Sequence, residues 1–482
     1  MNKILERSVF EHAEAMAAGE YSSYELTNAF LERIAVRDKE IGAYLSVDGE
    51  GAKKAALESD KRRKDGKTLG ILDGIPFSLK DNICVKGLPL TCGSKMLEHY
   101  VSPYDATVTE RLRSAGAVLL GKNNMDEFAM GSSTAYSALG TTRNPHDLTC
   151  VPGGSSGGSA AVVAGGMAVF SLGTDTGGSV RQPAAFCGVW GMKPTYGLLS
   201  RYGVAAMATS LDCVGVMSRT PEDSAAILSA LVGKDARDAT SRESDQLTDW
   251  KDMKFPTAEL RIAVMSAFDE SNLERDVWNA LQEAKEGFAR LGAVIETVDL
   301  PLPEEALASY AVLSATEASS NLARYDGVHY GYRSEKTTTL SELYENSRGE
   351  GFGMEVKRRI LFGTDMLLLG NRERYYLRAQ SVRERIRLEM MKLLERYDLI
   401  LTPTAPTVAF GREETPTPKQ LYNADLCTVY ASLACLPALS VPFGKGERGL
   451  PLAVQLTARP FAERFLLAVA KRLSEVTDHE NV

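Results

Sequence analysis

At 482 residues, 44% of them hydrophobic, the chain has apolar content for a large core and room for several domains or one large α/β domain with additions. A net charge of −8 argues against a chain whose own surface is the main grip on nucleic acid. No stretch reaches the roughly 20 apolar residues of a membrane span, and the seven scattered cysteines include no Cys-x-x-Cys pair, so neither a zinc site nor a disulfide framework is indicated. Residues 1–20 read as charged helix rather than as a signal peptide, and a reducing cytoplasm is the expected compartment.

In chain order, Ser22-x-x-Glu25 is a capping box that opens a helix through about Ala35. A second helix is expected over Gly51 to Lys64, with Lys61-Arg62-Arg63-Lys64 as its solvated end. Ile75 to Leu79 reads as a buried strand with Lys80 at its end. A helix over Thr107 to Ala115 stops at Gly116, and Ala117 to Leu120 is a short buried strand. Ser159 to Ala164 suits a helix that begins inside a glycine loop, and Ala168 to Leu172 suits the next strand. Thr220-Pro221-Glu222-Asp223 is a helix start, with a capping hydroxyl, proline in the first turn and acids at the positive dipole end; Gly233 closes that helix.

Lys234 to Pro256 reads as a polar surface connection. Leu260 to Val264 and Ala293 to Val298 are strands that flank a helix over about Leu273 to Leu291. Helical stretches near Glu304 to Arg324 and Gly353 to Tyr397 form a second region, and Leu399 to Thr402, Leu439 to Pro442 and Leu452 to Leu456 return as strands. Strands alternating with helices predict α/β: a mixed sheet between helix layers, with a helical elaboration in the C-terminal half.

Two glycine-serine loops stand out, Gly153-Gly154-Ser155-Ser156-Gly157-Gly158-Ser159 and Gly173-Thr174-Asp175-Thr176-Gly177-Gly178-Ser179. They are not a P-loop: the one Gly-Lys-Thr, at Gly66, has Lys61 where that motif needs glycine. Gly153 to Gly157 fits Gly-x-Ser-x-Gly, but of His12, His99, His146, His329 and His479 only the last two follow the serines, as a Ser-Asp-His order requires. His479 lies in the terminal tail and His329 in an Asp-Gly-Val-His turn, so a Ser-His-Asp triad is disfavoured. Glycines let several backbone amides converge on an oxyanion. A serine nucleophile needs a base, and a lysine serves when burial strips its charge. Lys80 ends an apolar run and is the candidate; its competing reading is a lysine paired with Asp81.

These loops, continued by Val180-Arg181-Gln182-Pro183-Ala184 and by Gly188-Val189-Trp190-Gly191-Met192-Lys193-Pro194-Thr195-Tyr196-Gly197, resemble the amidase signature family. The resemblance implies a Ser–Ser–Lys centre: Ser179 as nucleophile, Ser155 as bridging serine after a cis Gly154–Ser155 bond, and Lys80 as base. It also implies an oxyanion site at the amides of Thr176, Gly177, Gly178 and Ser179. The whole chain would be one amidase domain, with a signature core at about 70–220 and a helical substrate and partner region at about 304–397.

Further stretches, among them Asp126-Glu127-Phe128-Ala129-Met130-Gly131-Ser132-Ser133-Thr134, Glu317 to Gly327, Gly351 to Ile360 and Leu401 to Pro406, are similar to the family's glutamine-hydrolysing branch, which supplies ammonia to tRNA-dependent amidotransferases. That likeness implies glutamine as donor, with Arg359, Asp425 and Tyr310 around it. Without it, Arg359 reads as a surface charge in Lys357-Arg358-Arg359. The likeness also implies a heterotrimer: a large B subunit, which handles ATP, Mg²⁺ and Glu-tRNA(Gln) or Asp-tRNA(Asn), and a small C subunit would join this chain. No cofactor is expected in the chain itself. A stand-alone amidase for another small amide is the alternative. Two places depart from the branch: Ala135-Tyr136 follows Thr134 where Glu-Asn is usual, and Asn371-Arg372-Glu373-Arg374 interrupts a tyrosine-rich run.

Overall fold

The computed structural model describes residues 2–244, 253–256, 259–301, 303–413 and 423–477. Among them one sheet of 11 strands runs through the molecule. The strands are β1 (Tyr44–Val47), β2 (Pro76–Lys80), β3 (Val118–Asn123), β4 (Phe170–Asp175), β5 (Trp190–Lys193), β6 (Cys213–Ser218), β7 (Arg261–Met265), β8 (Val294–Val298), β9 (Leu399–Pro403), β10 (Ala438–Lys445) and β11 (Pro451–Thr457). Their order across the sheet is β1-β3-β2-β4-β6-β5-β10-β11-β9-β7-β8. The sheet is mixed: β3, β2 and β4 run parallel, as do β8, β7 and β9, while β6, β5, β10 and β11 join these two blocks by antiparallel pairs.

Local chemistry explains most element boundaries. Ser22 and Glu25 form the reciprocal capping box of Ser23–Ile41, which runs on to a left-handed Gly42. Thr220 Oγ1 accepts the Asp223 amide and Pro221 opens Pro221–Leu231. β2, β3 and β4 are buried at every residue, as expected of parallel strands covered on both faces. Phe77 on β2 and Phe170 on β4 are register partners at the starts of their strands and stack with centroids 5.3 Å apart.

Several elements differ from the sequence reading. β1, β5, β6 and the helices Arg181–Cys187, Leu340–Gly351 and Glu463–Thr477 are additional. The stretch after Gly353 is Met354–Leu367, a π-helical turn Arg372–Leu377 and Arg378–Arg396. The basic run at 61–64 does end a helix, but it is not simply solvated: Arg62 pairs with buried Asp73 at 2.6 Å and Arg63 donates to the Asp73 carbonyl. The connection after Lys234 is tied down at its start, since Asp235 accepts from Ser200, Thr107 and the Arg237 amide. Residues 245–252 of that connection and His479 lie outside the described residues. No helix among the described residues is long and apolar enough to cross a membrane.

The Phe77–Phe170 stack underlies the central strands, so Phe77→Ala is expected to destabilise the fold by about 3–5 kcal/mol, the cost of an aromatic cavity. A urea midpoint indistinguishable from that of the parent chain would contradict this placement.

Candidate active site

β2 and β4 lie side by side in parallel, so Lys80 at the end of β2 reaches across to Thr174 and Asp175 at the end of β4. The Lys80 side chain is fully buried. Its Nζ donates to Ser155 Oγ (2.7 Å), Ser156 Oγ (2.8 Å), Thr174 Oγ1 (3.0 Å) and the Thr174 carbonyl (3.4 Å). Among the described residues no carboxylate touches it. Asp81, the neighbour that could have paired with it, is held by Lys122 on β3 at 2.8 Å and also accepts from Thr91. Burial lowers the Lys80 amine to about 7, against the opposing pull of Asp126, Asp175 and Asp212. Desolvation wins because those charges stand off while the hydroxyls around the amine can donate as well as accept.

Ser155 follows a cis peptide bond from Gly154. Its loop is held on both sides: the Gly154 amide donates to Gln182 Oε1 (2.9 Å) and the Ser155 carbonyl accepts the Asp126 amide (3.2 Å). Asp126, fully buried, uses its carboxylate for the amides of Ser133, Thr134 and Tyr136. Thr134 Oγ1 in turn donates to the Gly153 carbonyl (2.7 Å). The departure at Ala135-Tyr136 therefore leaves this brace intact, and half-buried Tyr136 lies within the electrostatic reach of Glu355 and Arg359.

Ser179 is buried, and its carbonyl accepts the Ser156 amide at 3.2 Å, which fixes the two serine loops against each other. The turn that carries it is built on Asp175 and Arg181, both with no exposed side-chain surface. Arg181 donates to both Asp175 oxygens (3.0 and 2.8 Å), to the Thr428 carbonyl and to Gln455 and Ser432. Asp175 also takes the Val180 amide. Burial would raise the Asp175 carboxyl; the Arg181 charge and hydrogen bonds outweigh it and hold it below the usual range. Thr176 Oγ1 donates to Asp212 at 2.7 Å. Gly178 has φ +154, and a Cβ there would fall 2.2 Å from Thr428 Oγ1, so only glycine fits. Thr428 Oγ1 donates to the Gly177 carbonyl at 2.6 Å.

Of the more distant candidates, Tyr310 and Asp425 border the same turn. The Tyr310 ring lies against Gly177, whose added Cβ would meet its Cζ at 2.5 Å. Asp425 is buried, its Oδ1 has no hydrogen-bond partner among the described residues, and its carbonyl contacts Thr428 Oγ1. Burial pushes the Asp425 carboxyl up to about 7, with the Arg359 charge the largest opposing effect. Arg359 is not a surface charge. Its side chain is 11% exposed and its Nε donates to Glu355 at 2.7 Å, whereas Arg358 on the same turn is 41% exposed.

Thr174, Ser156, Asp126, Asp175, Arg181, Asp212 and Thr428 had no assigned role in the sequence. For Asp175 and Arg181 a signal existed, opposite charges six apart that flank a glycine turn; for Thr428 there was none. The histidines whose contacts are described turn elsewhere, His12 to Tyr21, His146 to the Cys187 carbonyl and His329 to Asp326. Among the described residues no His, Cys, Asp and Glu side chains group as a metal set.

The amidase family model matches residues 25–467. A curated relative from Symbiobacterium thermophilum, named as the A subunit of glutamyl-tRNA(Gln) amidotransferase, is 48% identical over 468 residues, covering 96% of this chain and 95% of its own. The crystal structure of the protein so named from Thermotoga maritima superposes with a TM-score of 0.78 at 40% identity, over 94% of this chain and 91% of that one. A peptide amidase from Stenotrophomonas maltophilia gives 0.83 at 30% identity, over 98% and 97%.

Removing the Arg181 guanidinium would strand the Asp175 carboxylate in a dry site. Arg181→Met is expected to cost about 3–5 kcal/mol of stability, read as a lowered urea midpoint. A variant as stable as the parent would show that this pair does not support the turn.

Proposed function

This chain belongs to the amidase family, and we propose that within it the protein hydrolyses glutamine through an acyl-serine and supplies the ammonia to a tRNA-dependent amidotransferase. The observation that carries the chemistry is a fully buried lysine, lowered to about 7, whose amine sits 2.7 Å from Ser155 and touches no carboxylate of the described residues. In its neutral form Lys80 takes a proton from Ser155 as Ser155 takes one from Ser179. Ser179 Oγ then attacks the side-chain amide carbon of glutamine. The amides of Thr176, Gly177, Gly178 and Ser179 receive the oxyanion. The proton returns to the leaving nitrogen, ammonia departs, and water activated by the same relay releases glutamate.

Glutamine as substrate is favoured by the opposite charges of Arg359 and Asp425, which act on each other. Arg359 suits the α-carboxylate. Asp425, whose Oδ1 lacks a partner among the described residues, suits the α-ammonium, which would keep its carboxyl ionised. Tyr310 closes the side against Gly177. Relatives that share this length are named as the A subunit of glutamyl-tRNA(Gln) amidotransferase. On this reading the chain works with the B and C subunits in the cytoplasm, and ATP, Mg²⁺ and the misacylated tRNA are engaged chiefly by the B subunit. The region of about 70–220 supplies the reaction centre and about 304–397 the substrate and partner contacts. The peptide amidase likeness keeps a stand-alone amidase as the second reading; an Arg359 and Asp425 lining is better matched to an amino acid than to an apolar amide.

Ammonia release from glutamine, by the chain purified with the partners it recovers from its own cells, tests the proposal. Ser179→Ala is expected to abolish release, and Lys80→Met to lower kcat by about 10³-fold or more. Undiminished release by Ser179→Ala would overturn the mechanism, and turnover of other amides with glutamine ignored would favour the second reading. Because neutral Lys80 is the active form, kcat is expected to rise with pH through about 7. A kcat that falls over that interval would contradict Lys80 as base.

A further inference from the structure

The helix Met354–Leu367 carries Arg359, yet its N-cap, Gly353, provides no side chain to satisfy the helix start. A carboxylate from far along the chain approaches it instead. The Gly353 amide donates to both oxygens of Glu127, at 2.9 and 3.2 Å, and the same carboxylate accepts Ser94 Oγ–H at 2.5 Å. Glu127 is buried, at 2% exposure. A Cβ on residue 353 would fall 2.3 Å from Glu127 Oε2, so a side chain there would displace the carboxylate. Phe128 reinforces the joint by packing edge-on against Phe352, with centroids 5.6 Å apart.

On its other side the joint reaches the reaction centre. Asp126, the preceding residue, donates its amide to the Ser155 carbonyl and organises the Ser133, Thr134 and Tyr136 amides. Phe128 and Ala129 both take positive φ, at 48° and 63°, a backbone that few side chains adopt and that sets neighbouring residues in divergent directions. Residues 126–129 thus form a short strut, with Ser155 at one end and the start of the Arg359 helix at the other. Within that helix, Glu355 in the first turn holds Arg359 Nε at 2.7 Å.

We propose that Glu127 is a positioning residue for substrate recognition: it pins the helix that carries Arg359 to the segment that braces Ser155, and so sets the guanidinium at the distance glutamine's α-carboxylate requires from the acyl-forming serine. The inference rests on the glutamine reading above and assigns its specificity to a residue that touches neither substrate nor the relay. Supporting groups of this kind commonly shift affinity by about 10–100-fold when removed, as they do around metal ligands. Burial pushes the Glu127 carboxyl up to about 7, opposed by the Ser94 and Gly353 donors, so a glutamine there is a close mimic.

The test compares glutamine with propionamide, an amide that lacks the α-carboxylate, in the preparation used for ammonia release. Glu127→Ala is expected to raise KM for glutamine about ten-fold or more, with kcat and any propionamide turnover within about two-fold of the parent. Glu127→Gln, which keeps an acceptor for Gly353, is expected to restore KM to within about three-fold. Combined with Arg359→Ala, Glu127→Ala is expected to add less than about two-fold to the KM of Arg359→Ala alone, because the two act through one contact. An unchanged KM in Glu127→Ala, an equal loss in kcat and KM terms for both amides, or full additivity with Arg359→Ala would overturn the proposal. If Glu127→Ala does not accumulate as folded protein, Ser94→Ala is expected to raise KM for glutamine about three-fold, and an unchanged KM there overturns it. Failure of the parent preparation to hydrolyse glutamine would sink the functional reading itself; normal glutamine turnover with an unaffected Glu127→Ala would sink only this assignment.

Discussion

A buried amine that no carboxylate of the described residues touches is the constraint around which this molecule is arranged. Bringing Lys80 from 10.5 to about 7 corresponds to on the order of 5 kcal/mol of lost preference for the charged form. That shift survives only if nearby acids are kept off the amine. Asp81, the residue just past the end of β2, has its carboxylate engaged by Thr91. Lys122 then neutralises Asp81 from the adjacent strand. Three hydroxyls remain around Lys80, and hydroxyls suit a neutral amine as well as a charged one.

The acids that remain nearby are each committed to backbone amides, to an arginine or to a hydroxyl. Asp126 is spent on the loop amides beside Ser155, Asp175 on Arg181 and the Val180 amide, and Asp212 on Thr176 and the amides of Met207 and Ala208. These bonds have a second effect, because they hold the glycine-rich turns that would otherwise be loose. Preorganised turns are what an oxyanion site needs, since donors already aimed require no reorganisation during reaction. The parallel pairing of β2 with β4 brings the two loops and the lysine to one end of the sheet, where α/β folds usually place ligands.

Much of this was legible along the chain. The capping box at Ser22 and Glu25, the proline start at Pro221, and the run that ends in Lys80 carry local signals, and the structure follows them to within a few residues except at the end of the first helix, which extends to Ile41. β5 and β6 were not legible, because Gly191 and Gly215 interrupt short apolar runs with no alternation. Leu340–Gly351 is polar and holds two glycines, so nothing apolar marked it. The two serine loops announced themselves through glycine. Arg359 and Asp425 came only from family resemblance, since a charged residue on a helix or in a turn looks alike in the sequence whether it is exposed or buried. Glu127 could not be read at all: its partner, Gly353, stands 226 residues away.

The most direct test of the account is to look for the covalent intermediate. The protein would be mixed with glutamine, quenched in acid within the first turnovers, digested, and its peptides weighed by mass spectrometry. The account predicts a γ-glutamyl ester on the peptide that contains Ser179, and none on the peptide that contains Ser155. A glutamyl adduct on any other residue, or steady ammonia release with no adduct on Ser179 under conditions that trap acyl-serines in general, would contradict it.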